Sequence, residues 1–343
     1  MKKYNVAILG ATGAVGQEFL RLIEERNFPF DELKLLASER SAGKVIRFMG
    51  KDYTVEEAKP ESFENVQIAL FAGGSTSKAL APEAVKRGAV VIDNSSAFRM
   101  DPEVPLIVPE VNPEAIKNHK GIIANPNCST IIMVMALKPI HDAARIKRVV
   151  VSTYQAVSGA GKEAIDELND QVQAIMENRQ PEAKILPSAS LDKHYQIAFN
   201  LIPQIDVFVD DDYTKEEMKM VNETHKILDD YTIGITATTI RVPVYRSHSE
   251  SVNVELESPL TPEDAKKLLE KFPGVVVEDN PAEMVYPMPL FTSDRNDVAV
   301  GRIRVDKTVP HGLNMWVVGD QIRKGAALNA LQIAEYMINH HLI

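Results

Sequence analysis

One cysteine, Cys128, occurs among 343 residues. A single thiol excludes an internal disulfide and a cysteine cluster for zinc. Long apolar runs are missing as well, and none approaches the ~20 residues that a membrane helix needs. There is no lysine/arginine block, and the net charge of −10 argues against general nucleic-acid binding. An anionic substrate would have to be met by locally placed arginines. Repeats and low-complexity linkers are also absent from the sequence. The opening MKKYNVAILGATG is basic and then apolar, in the manner of a short signal peptide. Its apolar stretch breaks at Gly10 without a clear cleavage site, so it reads better as a first strand. The expectation is a soluble, cytoplasmic protein with no metal site and no membrane or nucleic-acid partner.

What is present suits two domains with sizeable cores, with 45% hydrophobic and 25% charged residues. In the first third, short apolar runs at Asn5–Leu9, Leu33–Ala37, Ile68–Ala72, Val90–Ile92, Leu106–Val108 and Ile122–Ala124 alternate with helical patterns at Val15–Arg26 and Ser77–Arg87. That succession predicts a parallel sheet with right-handed crossovers. After Cys128 the pattern changes. A helix over Ser129–Leu137 and another over Lys162–Arg179 precede alternating runs at Thr232–Tyr245, Ser251–Glu257, Val298–Val305 and Leu313–Val318, read as an antiparallel or mixed sheet. Thr261 and Pro262 mark the start of a helix to Lys271. The fold class expected is α/β: a Rossmann-type domain over 1–128, then an α+β domain over 129–323. The terminal helix, 324–341, is expected to pack back on the first domain.

Gly10, Gly13 and Gly16 follow the first strand and open the first helix. Glycines let the backbone approach a pyrophosphate, and the helix N-terminus offers N–H groups and positive potential. The spacing is GxxGxxG, a partial match to the dinucleotide fingerprint, and a tight turn that binds nothing is the plainer alternative. Ser38-Glu39-Arg40-Ser41 ends the second strand. Arg40 with the Ser41 hydroxyl suits the 2′-phosphate of NADP, while Glu39 suits it only if it points away.

Cys128 lies between a strand and a helix, where unpaired N–H groups and the helix dipole favour a thiolate. A lone cysteine is otherwise more often core. His248, in RSHSES, is the candidate acid/base, since cysteine chemistry on a carbonyl needs a group that handles protons. A satisfied structural histidine is nearly as good a reading of it from chemistry alone. Arg99 follows a strand end, where ligands gather in open α/β sheets. Arg241 lies within a strand and either faces water or meets an anion. Glu216 and Lys219 share one helix face. Taken alone they read as an exposed ion pair.

With these residues in view, the chain resembles the bacterial-type aspartate-semialdehyde dehydrogenases over nearly its whole length. The resemblance rests on GATGAVG (10–16), SERSAG (38–43), FAGGSTS (71–77), DNSSAFR (93–99), NPNCST (125–130), TYQAVSGAG (153–161), RVPVYRSHSES (241–251) and the closing NMWVVGDQIRKGAALNALQIAE (314–335). It implies reductive dephosphorylation of L-aspartyl-4-phosphate by NADPH to L-aspartate 4-semialdehyde, on the route to diaminopimelate, lysine, threonine, methionine and isoleucine. Cys128 would form a thioester, His248 would act as acid/base, and Asn127 would support the reacting oxygen. Gln155 and Arg241 would hold the substrate, Arg241 through the α-carboxylate, with Glu216 on the amino group. Arg99 and Lys219 would bind phosphate. Gly10, Thr12, Gly13, Ala14, Val15, Arg40, Ser41, Ser158, Gly159 and Gln321 would contact NADP. Members of this family pair as homodimers, and some dimers associate further into a dimer of dimers. Two rivals stand beside it: an N-acetyl-glutamyl-phosphate reductase, disfavoured by a carboxylate at Glu216, and a non-catalytic dinucleotide sensor.

Overall fold

The computed structural model describes residues 2–343. The chain forms two compact units, one running to Asn127 and including Gly325–Ile343, the other Cys128–Lys324.

The first unit contains β1 (Tyr4–Leu9), α1 (Ala14–Glu25), β2 (Phe30–Ala37), β3 (Val45–Phe48), β4 (Lys51–Thr54), β5 (Glu56–Glu57), β6 (Ile68–Phe71), α2 (Ser77–Lys86), β7 (Val90–Asp93) and β8 (Ile122–Ala124). Its main sheet runs β5-β2-β1-β6-β7-β8 with every pair parallel. Such a sheet is covered on both faces, so its strands are apolar throughout instead of alternating. In β1, Val6 and Ile8 join a core with Phe19, Ile23, Leu331 and Met337, while Ala7 and Leu9 join another with Phe63 and Phe71. The strand order reverses between β1 and β6, which places the ligand crevice of an open α/β sheet beside the glycine turn after β1. The C-terminal helix, Leu328–Asn339, belongs to this unit. Its Asn329 donates to the Ile107 carbonyl and to Asn125 Oδ1, and Glu335 pairs with Arg26.

The second unit contains α3 (Cys128–Ala144), β9 (Ile146–Gln155), α4 (Lys162–Met176), α5 (Lys215–Leu228), β10 (Gly234–Arg241), β11 (His248–Leu256), α6 (Pro262–Lys271), β12 (Val275–Val277), β13 (Val298–Asp306) and β14 (Gly312–Gly319). The sheet order is β10-β9-β11-β14-β13-β12. The two end pairs are parallel and the three inner pairs antiparallel, so the sheet is mixed. α3 packs against it and against α5. Residues Ile131 to Leu137 are all fully buried, the pattern of a helix that is apolar all round and sits inside a core. A Cβ on Gly319 would come 2.9 Å from Ile132 Cγ1, so α3 reaches the end of β14 only because that residue is glycine. α6 starts where expected: Thr261 accepts from the Asp264 N–H and proline occupies the first turn.

Several elements differ from the sequence expectation. Leu106–Val108 makes one bridge, Leu106 to Ala124, and no strand. Asn112 caps the segment instead, accepting from the Val108 N–H and donating to the Leu106 carbonyl at 2.9 Å each. Helix α3 continues past Leu137 to Ala144, across Pro139. Strand β9, in the interior of the second sheet, and the β3–β4 hairpin were not anticipated.

Candidate active site

Three neighbouring strands bring their ends together in the second unit. Arg241, the last residue of β10, is in register with Gln155, the last of β9, and β11 opens at His248 beside it. The strand ends therefore place an amide, a guanidinium and an imidazole on one edge, from two distant stretches of sequence.

His248 is fully buried. Its Nδ1 accepts the backbone N–H of Ala156 at 3.1 Å. A neutral imidazole has one acceptor and one donor nitrogen, so the bond leaves the ring proton on Nε2. Nε2 has no partner among the described residues. Burial, then the positive charge of Arg241, push the His248 pKa down to about 3, against a smaller opposing pull from Glu216. The resting ring is thus neutral, with a fixed tautomer and one unsatisfied donor.

Arg241 is held by the same residue from the other side. Its Nη1 donates to the Ala156 carbonyl at 2.7 Å, and its Nε has no partner among the described residues. Its backbone bonds in both directions to Ile202. The guanidinium is buried, which lowers its pKa, while Glu216 and Cys128 pull it back up. A buried cation with an unpaired N–H beside a neutral N–H donor forms an anion-accepting corner.

Glu216 sits in the first turn of α5. The helix starts there because Thr214 and Glu217 form a reciprocal capping box. Glu217 also accepts the Thr239 N–H at 2.9 Å, which pins the helix start to β10. The expectation of an exposed ion pair is overturned at this point: Glu216 is 5% exposed. Its Oε1 accepts from Gln155 Nε2 at 3.2 Å and its Oε2 from Lys219 Nζ at 3.0 Å, and Lys219 also reaches Asp206 at 3.2 Å. Burial opposes the charge on Lys219, but Glu216 and Asp206 outweigh it and raise its pKa.

Cys128 is the first residue of α3 and is half-buried. It lies in the same unit and its charge is felt at Arg241. Gly159 follows β9 in a short turn. A Cβ there would stand 2.9 Å from Arg241 Nη1 and 3.2 Å from His248 Nε2, so glycine keeps the space in front of both groups open. Gln321 and Ser158 are bonded to each other, Nε2 to Oγ at 2.5 Å, and both are buried.

The remaining candidates lie in the first unit. Gly10 turns at φ +83°, and a Cβ on Gly16 would come 2.2 Å from the Gly10 carbonyl, so neither position admits a side chain. Gly13 precedes α1 and no side chain caps that helix, so the first-turn N–H groups around Thr12, Ala14 and Val15 face the turn uncapped. This is a cradle that fits a dinucleotide pyrophosphate. Arg40 is exposed on the short turn after β2, and Ser41 is buried with Lys44 Nζ 3.4 Å from its hydroxyl. Arg99 is buried and donates to the carbonyls of Asn125 and Asn94 at 3.0 and 2.6 Å, and Asn127 is 6% exposed. Among the described residues no group of three or more histidine, cysteine or acidic side chains is placed to hold a metal, and no helix is long and apolar enough to cross a membrane.

Sequence reasoning did not find Ala156 or Ser247. Their contacts to His248, Arg241 and Gln321 run through the backbone, which residue type does not signal.

The chain is similar to known proteins along nearly its whole length. Residues 5–119 match the family described as "Semialdehyde dehydrogenase, NAD binding domain", and residues 137–324 match "Semialdehyde dehydrogenase, dimerisation domain". The aspartate-semialdehyde dehydrogenase of Aquifex aeolicus is 59% identical over 99% of each chain. The crystal structure of aspartate semialdehyde dehydrogenase II of Vibrio cholerae complexed with ASA is 49% identical, covers 99% of each chain and superposes with a TM-score of 0.93. The Candida albicans enzyme with NADP is 26% identical, covers 100% of each chain and superposes with a TM-score of 0.77.

Proposed function

The chain belongs to the aspartate-semialdehyde dehydrogenase family, and on that premise we propose that it converts L-aspartyl-4-phosphate to L-aspartate 4-semialdehyde through a thioester on Cys128, with NADP as its cofactor. The observation that carries this is the Ala156 bracket. One residue holds His248 in a fixed tautomer and Arg241 in place, in the unit that also contains Cys128, Gln155 and Glu216.

Sγ of Cys128, as the thiolate, attacks the acyl carbon and the bond to phosphate breaks, leaving a thioester. The Nε2–H of His248 faces the developing oxyanion, with Asn127 as a second donor; a preorganised donor in a dry site acts most strongly where charge develops. Bound NADPH supplies the reducing equivalent. The reduced carbon then carries an alkoxide that the His248 Nε2–H hydrogen-bonds; its collapse re-forms the carbonyl as the carbon–sulfur bond breaks and sulfur leaves as thiolate, so no proton has to pass through the ring. Arg241 with Gln155 holds the α-carboxylate, and Glu216 the ammonium. Arg99 and Lys219 take the phosphate. Covalent capture removes much of the entropy of orienting the carbonyl.

The NADP assignment is supported by the pyrophosphate cradle of Gly10, Thr12, Gly13, Ala14 and Val15, and by Arg40 with Ser41 for the 2′-phosphate. Ser158, Gly159 and Gln321 are assigned to the nicotinamide end. The match of residues 137–324 to a dimerisation domain supports a homodimer. The proposed place is the cytoplasmic aspartate pathway, ahead of lysine, threonine, methionine and isoleucine. The test is phosphate-dependent reduction of NADP by L-aspartate 4-semialdehyde, with and without prior alkylation by iodoacetamide. The proposal expects activity that vanishes on alkylation; activity that survives complete alkylation would overturn it.

A further inference from the structure

Ser247, immediately before His248, is fully buried and has φ +72°, a left-handed conformation that residues with a Cβ rarely adopt. Its surroundings hold it there. The Ser247 N–H donates to Gln321 Oε1 at 2.8 Å, and its hydroxyl lies 3.2 Å from Ser293 Oγ. The other end of the Gln321 amide is engaged too, donating to Ser158 Oγ. The residue before Gln321, Asp320, anchors the residue before Ser247: its buried carboxylate accepts Arg246 Nε at 2.7 Å, together with the N–H groups of Asp294, Ile322 and Arg323. Residues 246 and 247 are thus tied one by one to residues 320 and 321 at the end of β14.

We propose that Gln321 is a positioning residue for His248: its amide clamps Ser247 in the left-handed turn that aims the imidazole at the Ala156 N–H. The inference rests on the proposed role of His248 and goes beyond cofactor contact. Strained backbone persists only where neighbours over-determine it, and such strain gathers at functional sites. Without the clamp Ser247 relaxes to negative φ. The peptide entering β11 rotates, and the 3.1 Å bond that fixes the His248 tautomer is lost. A residue acting only on the cofactor would not behave this way, because its removal would weaken NADP binding and leave the ring in place.

The experiment uses the full-length protein and compares Gln321→Ala, Ser247→Gly and the double variant, with His248→Asn as reference. Gln321→Ala is expected to lower kcat about tenfold or more even at saturating NADP, beyond any rise in KM for NADP from the lost cofactor contact. The double variant is expected to regain most of that loss, because glycine holds φ +72° without a clamp. An activity-independent readout accompanies the kinetics. The 15N shift of His248 Nδ1 should move toward a free acceptor in Gln321→Ala and return in the double variant. A rise in KM for NADP at unchanged kcat, or a double variant no better than Gln321→Ala with an unmoved ring signal, would overturn the proposal. A fully active His248→Asn would overturn the role assigned to His248, while the ring signal would still decide the clamp.

Discussion

The backbone N–H of Ala156 donates to Nδ1 of His248 at 3.1 Å. Nothing in the side chain of residue 156 matters to this bond, yet it decides which nitrogen of the imidazole carries the proton. The same residue's carbonyl accepts from Arg241. The anion-accepting corner therefore depends on the path of the chain after β9 as much as on the two charged or polar side chains.

The His248 ring should stay neutral through the working range. In an unfolded chain a histidine titrates near 6.5, whereas in the fold His248 does so only near about 3. Between those values the unfolded chain binds a proton that the folded one refuses. Stability from this group is therefore present above about pH 6.5 and lost as pH falls toward 3. Ring-labelled NMR should show one Nε2–H tautomer without titration from pH 5 to 8. A midpoint between 6 and 7 would contradict the assignment.

Gly159→Ala should fold normally and lose activity. The new Cβ would stand 2.9 Å from Arg241 Nη1 and 3.2 Å from His248 Nε2, where the proposed mechanism puts the reacting oxygen and the carboxylate. Displacing catalytic groups by about an ångström typically costs on the order of a hundredfold in rate. Steady-state kinetics beside a thermal melt would check both halves; unchanged kcat/KM would show that the space is not used.

Much of this was legible in advance, and the gaps have identifiable causes. The glycine turn after β1 and the Thr261–Pro262 start of α6 carry local signals that the fold obeys. Strand β9 was missed because it follows α3 with only Arg145, at φ +46°, between them and no glycine or proline to mark the change. Strand β10 ends at Arg241, inside the alternating run that reads on to Tyr245, whereas β11 opens at His248, ahead of the run that reads from Ser251. Burial of Glu216 was hidden because its i,i+3 partner Lys219 makes the helix look solvent-facing. Arg241 was left undecided between water and an anion, and burial takes it out of water. None of the backbone contacts of Ala156 or Ser247 leaves a trace in residue type.

Glu250→Gln should stabilise the protein at neutral and alkaline pH. Glu250 is fully buried, neither carboxylate oxygen has a partner among the described residues, and burial raises its pKa well above the usual value. Below about pH 4.5 both the folded and unfolded forms are protonated, so wild type and variant should be alike. Above it the unfolded chain ionises first, and wild-type stability falls as pH rises. Urea unfolding should show the variant gaining by about 1 kcal/mol per pH unit until the folded group ionises. Parallel pH curves for the two proteins would count against a buried neutral carboxyl.

Arg241→Lys should keep the charge and lose most of the function. Lysine lacks the planar fork, and it leaves either the Ala156 carbonyl or the substrate carboxylate without its donor. Truncating one partner of a buried charged hydrogen bond costs roughly 2–5 kcal/mol. That corresponds to a loss of at least about thirtyfold in kcat/KM, carried mainly by KM for the semialdehyde. Equal KM values in the two proteins would remove Arg241 from substrate binding.

The central claim is covalent catalysis by Cys128, and mass spectrometry of the intact protein tests it most directly. Enzyme mixed with L-aspartate 4-semialdehyde and NADP, without phosphate or arsenate to release the acyl group, should accumulate an aspartyl adduct. Peptide mapping should place it on residues 125–130, and Cys128→Ala should lack it. An active wild-type enzyme that never carries the adduct, or a Cys128→Ala variant that still forms semialdehyde from aspartyl phosphate, would contradict the account.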